Sequence, residues 1–340
     1  GQHRHVQLLW RTHERGRLVA LRLLVHRGRI ATSKARRVVR LALPCVLLAM
    51  SGFAPAIAQP NLDTVVHPRA AAALQHETIV DPGTGRAYEL LLSQPQEPAP
   101  AAGYPVIFLF DGNRTAPAAL AWLKKNDLAD RVLVVGLGYP DTVAFNIPRR
   151  FEDLTPTPVA KRPGSGQAAA FLDFVEQRIK PHIARRYPLD PNRTALYGHS
   201  LGGLTALYDL AHHPDRFSAY FAASPALWWD DSVVVPQLQQ AARSERCASG
   251  PSRTVVITVG RKEQPLNTDE KIDAARAAKL ARRGMVDNAE HAAGILAGCA
   301  AFDVHYQVLA DADHGAALDG GLFYSLTQWL GDDRAAERRP

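Results

Sequence analysis

One serine of the chain has the flanking residues that nucleophilic catalysis requires. Ser200 lies at the centre of a Gly-x-Ser-x-Gly pattern, with Gly198 and Gly202 on either side. Residues 194–197 predict a short strand before the pattern, and the apolar residues after it predict a helix. Small residues two before and two after the serine allow a sharp strand-to-helix turn that exposes its hydroxyl. The sequence therefore predicts Ser200 as a nucleophile, with the backbone N–H of Leu201 as an oxyanion donor.

A serine nucleophile needs a general base, and His314 is the best placed histidine. It lies in the loop after the last predicted strand, 302–309. His199 is adjacent to the nucleophile, and because neighbouring turn residues usually point apart, it is a poorer candidate. His212 and His213 lie at the end of the predicted nucleophile helix and are interpreted as surface or capping residues.

An imidazole base in turn needs a carboxylate that orients it. Glu263 follows the predicted strand 255–259, where the acid should lie in the chain order serine, acid, histidine. Asp311 and Asp313 remain alternatives because they are close to His314 in sequence.

The second oxyanion donor is expected in the loop after the predicted strand 105–110. This position favours the backbone N–H of Gly112 or of Asn113. Asp111 is expected to shape the same turn through its side chain.

Predicted strands alternate with predicted helices, which indicates an α/β fold with a mostly parallel central sheet and helices on both faces. The further predicted strands are 87–93, 132–137 and 217–223, and the predicted helices are 116–124, 167–186, 268–297 and 321–330. Residues 138–164 are predicted as a long loop. Ligands of such sheets bind at the carboxyl ends of the strands, where all of the candidate residues fall.

The charge of the chain is unevenly distributed. The formal net charge is +7 over 340 residues, but residues 1–58 hold 11 of the 40 Lys and Arg and only one of the 33 acidic residues. The rest of the chain has 29 basic and 32 acidic residues, a net charge of −3, without a basic stripe. This composition argues against a nucleic-acid partner.

The basic N-terminal region is interpreted as an extension followed by a signal peptide. The positive stretch 34–40 precedes a short apolar run, 41–50, and residues 56–58 match an Ala-x-Ala cleavage site. The apolar run is too short to span a membrane as a helix. We therefore expect cleavage before Gln59 and export to the periplasm, or secretion; a lipoprotein anchor at Cys45 is the rival interpretation.

This interpretation divides the chain into four parts. A leader over 1–58 is removed, and a mobile lead-in follows over 59–76. A single α/β domain occupies 77–332, and a short tail occupies 333–340. The exported part is expected to have no membrane span, and the sequence does not predict an oligomeric state.

Two cysteines remain after the predicted cleavage. Cys247 precedes the predicted strand 255–259, and Cys299 precedes the predicted strand 302–309. If these strands are parallel neighbours, both sulfurs lie at the sheet edge opposite the active site and can form a disulfide in an oxidising compartment. Two separate buried thiols are the alternative.

Six segments carry a resemblance to a known family: YGHSLGG at 197–203, FLFDGN at 108–113, RFEDLTP at 150–156, SPALWW at 224–229, VGRKEQ at 259–264 and ADADHG at 310–315. By their order over residues 75–330, the chain resembles the putative-esterase branch of the α/β-hydrolases. Within that branch it is most similar to periplasmic siderophore esterases that open enterobactin-type and salmochelin-type trilactones.

The resemblance implies an α/β-hydrolase fold and a serine carboxylester hydrolase that needs no cofactor or metal. It also implies that a Ser200–His314 pair can carry much of the catalysis. The implied substrate is a small-molecule ester, a catecholate siderophore. Hydrolysis of its ester bonds would release the bound iron.

The ferric form of such a substrate is negatively charged and has flat aromatic rings. Arg149 and Arg150 are predicted to meet its charge, and Trp228 and Trp229 to offer ring faces. Three other functions remain open. They are an esterase for another acyl ester, such as a feruloyl or short-chain ester, an acyltransferase, and a non-catalytic periplasmic protein that binds a ferric siderophore.

Overall fold

The computed structural model describes residues 74–140, 144–264 and 273–337, and side chains as far as residue 331. The predicted leader and most of the predicted lead-in lie outside the described residues. No helix in the described part of the chain is long and apolar enough to cross a membrane.

The described strands form one eight-stranded sheet. They are β1 (Gln75–Val80), β2 (Ala87–Leu92), β3 (Tyr104–Phe110), β4 (Leu133–Gly138), β5 (Leu189–His199), β6 (Ala219–Ala223), β7 (Arg253–Gly260) and β8 (Phe302–Leu309). Their order across the sheet is β1-β2-β4-β3-β5-β6-β7-β8. β1, β2 and β4 pair antiparallel, whereas every pair from β4 to β8 is parallel. The predicted α/β fold with a mostly parallel sheet is therefore confirmed.

Helices cover both faces of this sheet. They are α1 (Gly112–Lys125), α2 (Ile147–Asp153), α3 (Ala168–Phe174), α4 (Lys180–Ala184), α5 (Leu201–His212), α6 (Val234–Ala241), α7 (Arg246–Ser249), α8 (Ala274–Arg283), α9 (Met285–Ala297) and α10 (Ala316–Glu337). A π-helical turn, Val175–Ile179, joins α3 to α4.

The alternation of buried side chains along β3 divides the core into two halves. Phe108 and Phe110 point into a core that α3, α5, α6 and α9 cover, whereas Ile107 and Leu109 point into a core that α1 and α10 cover. Both sets are fully apolar, since a strand covered by helices on both faces has no solvated side. β5, which carries the predicted nucleophile at its end, lies at the middle of the sheet between β3 and β6.

Several predicted boundaries were wrong. The predicted loop 138–164 contains α2, a two-turn helix whose N-cap is Asn146, because the Oδ1 atom of Asn146 accepts a hydrogen bond from the backbone N–H of Arg149. The predicted helix 268–297 contains α8 and α9, which are separated at Gly284, where φ is +50°. A left-handed residue ends a helix, and glycine adopts it at the lowest cost.

Two further elements differ from the prediction at the N-terminal side and after β6. β1 begins at Gln75, two residues before the predicted domain start, and alternates half-buried with exposed residues. This pattern shows that one face of β1, the first strand in the order of the sheet, is exposed to solvent. α6 was not predicted at all.

Cys247 in α7 and Cys299 after α9 form a disulfide, with Cα atoms 4.9 Å apart. β7 and β8 are parallel neighbours, and the pair Arg253 and Phe302 lies at their amino ends. The bond therefore lies at the sheet edge opposite the end of β5, as the first of the two sequence interpretations expects.

Replacing both cysteines with alanine should lower the free energy of unfolding by about 4 kcal/mol, because 52 residues separate Cys247 from Cys299 and the bond restricts the unfolded chain. Urea unfolding of the wild type, with and without a reductant, checks this value. The double variant should keep the arrangement of residues at the carboxyl end of β5, since the bond lies at the opposite edge of the sheet. A reduced wild type with an unchanged unfolding midpoint would contradict the prediction.

Candidate active site

Ser200 lies between β5 and α5 in a conformation that few non-glycine residues adopt, with φ 59° and ψ −113°. Its N–H donates to the carbonyl of Ala223 at 2.9 Å, and its carbonyl accepts from the N–H of Ala226 at 3.0 Å. A Cβ on Gly198 would lie 2.2 Å from the carbonyl carbon of Gly202, so the turn requires glycine there. The surrounding backbone thus holds the serine in a strained turn.

His314 and Glu263 line up behind the serine hydroxyl. The Nε2 atom of His314 lies 3.1 Å from Ser200 Oγ, and its Nδ1 atom lies 2.6 Å from Glu263 Oε2. The Glu263 side chain is 1% exposed and that of His314 is 42% exposed. This is the arrangement of a nucleophile, a base and an orienting carboxylate, and the three roles remain predictions drawn from it.

The alternative acids have other surroundings. Asp313 Oδ1 accepts from the N–H of Ala316 at 2.9 Å and so contacts the first turn of α10. Asp311 is exposed. Of the three candidate acids, Glu263 is the one with a hydrogen bond to His314 among the described contacts.

A buried serine that the sequence analysis missed holds the carboxylate of Glu263. Ser224 Oγ donates to Glu263 Oε1, which also accepts from the N–H of Gly260 at 2.8 Å. Ser224 follows β6 with φ 44°, and its own N–H donates to the carbonyl of Thr258. Its place in the SPALWW segment, directly after a strand at the catalytic edge, was the signal that could have identified it.

The predicted oxyanion donors lie at two helix N-termini. Leu201 begins α5 and Gly112 begins α1, and these helices follow the adjacent parallel strands β5 and β3. A Cβ on Gly112 would lie 2.5 Å from the carbonyl carbon of Gly136, so the close approach of α1 to β4 requires glycine. Asn113 exchanges two side-chain hydrogen bonds with the backbone of Tyr139, at 2.8 and 3.0 Å. Gly112 and Asn113 both remain candidates for the second donor.

His199 contacts the predicted base. Its Nε2 atom lies 2.8 Å from the backbone carbonyl of His314, and the two ring centroids are 4.6 Å apart. Burial lowers the pKa of His199 well below 6.5, and the positive charges of His314 and Arg150 lower it further. His199 is therefore neutral near pH 7 and donates through Nε2, and among the described contacts it is His314 that reaches Ser200 Oγ.

The structure corrects the predicted role of Arg150. Its Nε donates to Asp111 Oδ1 at 2.7 Å, and its Nη2 lies 3.4 Å from the carbonyl of His199. Both Arg150 and Asp111 are buried. Burial raises the pKa of Asp111, although the charge of Arg150 opposes this shift. Arg150 thus braces two site loops instead of offering a free charge. The Asp111 side chain pairs with Arg150 and makes no capping hydrogen bond to α1, so the turn-shaping role expected for it was wrong.

Arg149 is also engaged within the protein. Its guanidinium donates to Asp153 Oδ2 and to the carbonyl of Ala87, each at 3.3 Å. The same group lies 4.8 Å from the ring centre of Tyr88 and 4.9 Å from that of Tyr139. These contacts hold the guanidinium of Arg149 against α2 and β2, and its contact with a substrate stays a prediction.

The two tryptophans differ. Trp229 is buried, packs on Phe151 and donates through Nε1 to Thr157 Oγ1 at 3.2 Å, so the prediction of a substrate-facing ring was wrong for it. Trp228 is half-buried, and the guanidinium carbon of Arg283 lies 4.8 Å from its ring centre. Trp228 remains a candidate for substrate contact.

No group of three or more His, Cys, Asp or Glu side chains among residues 74–140, 144–264 and 273–337 is arranged to hold a metal ion. His212, which was interpreted as a surface residue, lies at the far end of α5, and its Nε2 atom donates to Gln237 Oε1 in α6 at 3.1 Å.

Comparison with known proteins identifies relatives of the whole domain. The family profile described as Putative esterase matches residues 82–307. The siderophore triacetylfusarinine C esterase of Aspergillus fumigatus is 32% identical over 240 residues, which are 67% of this chain and 82% of that protein. The siderophore enterobactin esterase of Emericella nidulans is 30% identical over 245 residues, which are 64% of this chain and 80% of that protein.

A solved structure supports the same relationship. The siderophore hydrolase EstB from Aspergillus nidulans superimposes with a TM-score of 0.66 at 26% identity. The superposition covers 76% of this chain and 95% of that one.

Replacing Arg150 with methionine should lower the free energy of unfolding by about 3 kcal/mol, because it leaves Asp111 buried without its partner. Proton uptake by Asp111 limits the loss. The double variant Arg150→Met/Asp111→Asn should recover part of it. Urea unfolding measures both values.

The matched control is Arg131→Met, which breaks an exposed ion pair with Glu97 and should cost at most about 1 kcal/mol. Equal losses of unfolding free energy in Arg150→Met and Arg131→Met would contradict a stabilising role of the ion pair between Arg150 and Asp111.

Proposed function

The chain belongs to the Putative esterase family, and we propose that it is an exported serine esterase that hydrolyses the ester bonds of a siderophore. The family and its relatives make it a carboxylic ester hydrolase. The observation that carries the finer proposal is the line from Ser200 to His314 to Glu263, in a chain whose relatives are named for siderophore esters. A catecholate trilactone is the proposed substrate class.

In the proposed reaction, Ser200 Oγ attacks the ester carbonyl while His314 Nε2 takes the hydroxyl proton. The N–H of Leu201 and that of Gly112 or Asn113 stabilise the oxyanion of the tetrahedral intermediate. Its collapse breaks the C–O bond, and His314 returns the proton to the leaving alcohol. Water then repeats the sequence on the acyl-enzyme and releases the acid.

The hydrogen bond from His314 Nδ1 to Glu263 orients the imidazole and stabilises the imidazolium that forms in each step. Ser224 and the N–H of Gly260 hold the other carboxylate oxygen. This leaves Oε2 for His314.

Recognition of an anionic, aromatic substrate is assigned to Trp228 and Arg283. Trp228 lies two residues after Ala226, whose N–H binds the Ser200 carbonyl, and Arg283 lies over its ring. Burial lowers the pKa of Arg283 and the carboxylate of Glu263 raises it, so the guanidinium lies within electrostatic reach of the proposed acid. A ring face beside a cation suits a flat, negatively charged catecholate.

The proposed export is supported by the disulfide between Cys247 and Cys299. Disulfides persist in oxidising compartments, such as the periplasm and the extracellular space, and are rare where thiols are kept reduced. The predicted signal peptide supports the same compartment.

Mass spectrometry of reaction products tests the proposed activity. The chain from Gln59 onward is incubated with apo and ferric enterobactin, and p-nitrophenyl butyrate serves as a small neutral ester. The wild type should release linear trimer, dimer or monomer from the trilactone, and Ser200→Ala should release none because it lacks the nucleophile.

Each other outcome has a distinct meaning. Hydrolysis of the small ester with the trilactone untouched would retain the mechanism and refute the substrate. Acyl transfer to an added alcohol would indicate a transferase. Tight ferric-siderophore binding without any hydrolysis would indicate a binding protein.

Reversing the charge of Arg283 with glutamate should raise KM for the ferric siderophore about tenfold, because a rim charge guides an anionic ligand. The increase should shrink at high salt, which screens exposed charges. Steady-state kinetics at two ionic strengths measure it. Arg276→Glu on the exposed face of the same helix is the control, and an equal KM increase there would show a general charge effect.

A further inference from the structure

We propose that His199 is a positioning residue: its Nε2–H donates to the backbone carbonyl of His314 and so sets where the base lies relative to Ser200. The proposal rests on the proposed ester hydrolysis at this site. It assigns a role to a side chain that the reaction itself does not use.

His314 needs an anchor besides Glu263. It lies in the loop between β8 and α10, and its side chain is 42% exposed. The hydrogen bond from Nδ1 to Glu263 fixes one side of the ring, but a shift of the loop backbone would still move Nε2. The distance from Nε2 to Ser200 Oγ, 3.1 Å, is already at the long end for such a pair. A further small shift would therefore break the contact.

Besides hydrogen bonds within its own segment, the loop backbone has two described hydrogen bonds to other parts of the chain. The carbonyl of Ala312 accepts from the N–H of Lys262 at 3.0 Å, two residues before the base. The carbonyl of His314 itself accepts from His199 Nε2 at 2.8 Å. The second anchor therefore acts on the residue that carries the base.

The position of His199 gives this anchor its effect. It is the last residue of β5 and directly precedes Ser200, so its donor moves with the nucleophile. Its own carbonyl lies 3.4 Å from Arg150 Nη2. The positions of the nucleophile and of the base are thus both fixed by the carboxyl end of β5.

The protonation state of His199 suits a permanent donor. The groups that face it are Arg150, Arg114 and His314, and the positive charges of the two arginines, with that of His314 when it is protonated, add to burial in lowering the pKa of His199. Because a carbonyl accepts from Nε2, this nitrogen carries the proton of the neutral ring. The hydrogen bond therefore persists while the proposed catalytic imidazole takes up and releases a proton in each step of the reaction.

Three substitutions of His199 test the proposal with the neutral ester p-nitrophenyl butyrate. His199→Phe keeps a ring but removes the donor, and should lower kcat about 10- to 100-fold with KM within about twofold, as other supporting contacts do. His199→Gln places an amide N–H at a similar reach and should restore kcat to within about threefold of wild type. His199→Asn is too short to reach and should behave as His199→Phe does.

The matched control is His212→Phe at the far end of α5, which should leave kcat unchanged. Urea unfolding of every variant separates misplacement from unfolding. Wild-type kcat in His199→Phe or in His199→Asn would overturn the proposal, and so would an equal loss in His199→Gln. If His199→Phe does not fold, the contrast between the Gln and Asn variants decides.

A pH series of unfolding gives an independent readout. The unfolded chain binds a proton at this histidine below its ordinary pKa of 6.5, whereas the folded protein keeps it neutral. Stability should therefore fall as the pH drops below 6.5, and His199→Gln should lose part of that slope. An identical dependence of stability on pH in the wild type and in His199→Gln would contradict a neutral His199 in the folded protein.

The assay separates this proposal from the proposed substrate. Failure of trilactone hydrolysis leaves the small-ester kinetics of the His199 variants interpretable. If the wild type hydrolyses neither ester, the rate at which a fluorophosphonate modifies Ser200 replaces kcat, and an unchanged rate in His199→Phe overturns the role of His199.

Discussion

The left-handed backbone at Ser200 is the constraint on which the rest of the site depends. A serine at φ 59° is unfavourable by itself, so the neighbouring chain has to hold it there. Two backbone hydrogen bonds do so, one to Ala223 at the end of β6 and one to Ala226 just after it, and glycine at position 198 removes the clash that the turn would otherwise create. The segment after β6 also supplies Ser224 to the carboxylate of Glu263. One stretch of chain therefore supports both the nucleophile and the acid.

The parts of the site that the sequence predicted are those that follow from chain order. A glycine-flanked serine after a strand, an acid after a later strand and a histidine after the last strand follow from the geometry of a parallel sheet, which brings strand ends to one edge. The same logic predicted the sheet class and the position of the two cysteines. It did not separate Glu263 from Asp311 and Asp313, because sequence proximity says nothing about which carboxylate reaches a ring nitrogen.

The parts that the sequence did not predict depend on side-chain direction. Arg149 and Arg150 are adjacent in α2, and both were expected to meet a substrate. One packs between Tyr88 and Tyr139, and the other pairs with Asp111. An arginine in a sequence is expected to be solvent-exposed, and only the tertiary structure shows that it pairs with a buried carboxylate. For the same reason Trp229 is a core residue while the neighbouring Trp228 is not.

The proposed nucleophile and the proposed base lie far apart in the sequence and are therefore synthesised at different times. The nucleophile belongs to β5 at the middle of the sheet, whereas His314 follows β8, which pairs with β7 alone among the described strands. The base can reach the serine only after β8 has been synthesised and has paired with β7, because His314 follows that strand. A chain in which β8 has not docked would lack the proposed base beside Ser200, so the proposed hydrolytic activity depends on the assembled sheet and not on the serine turn alone.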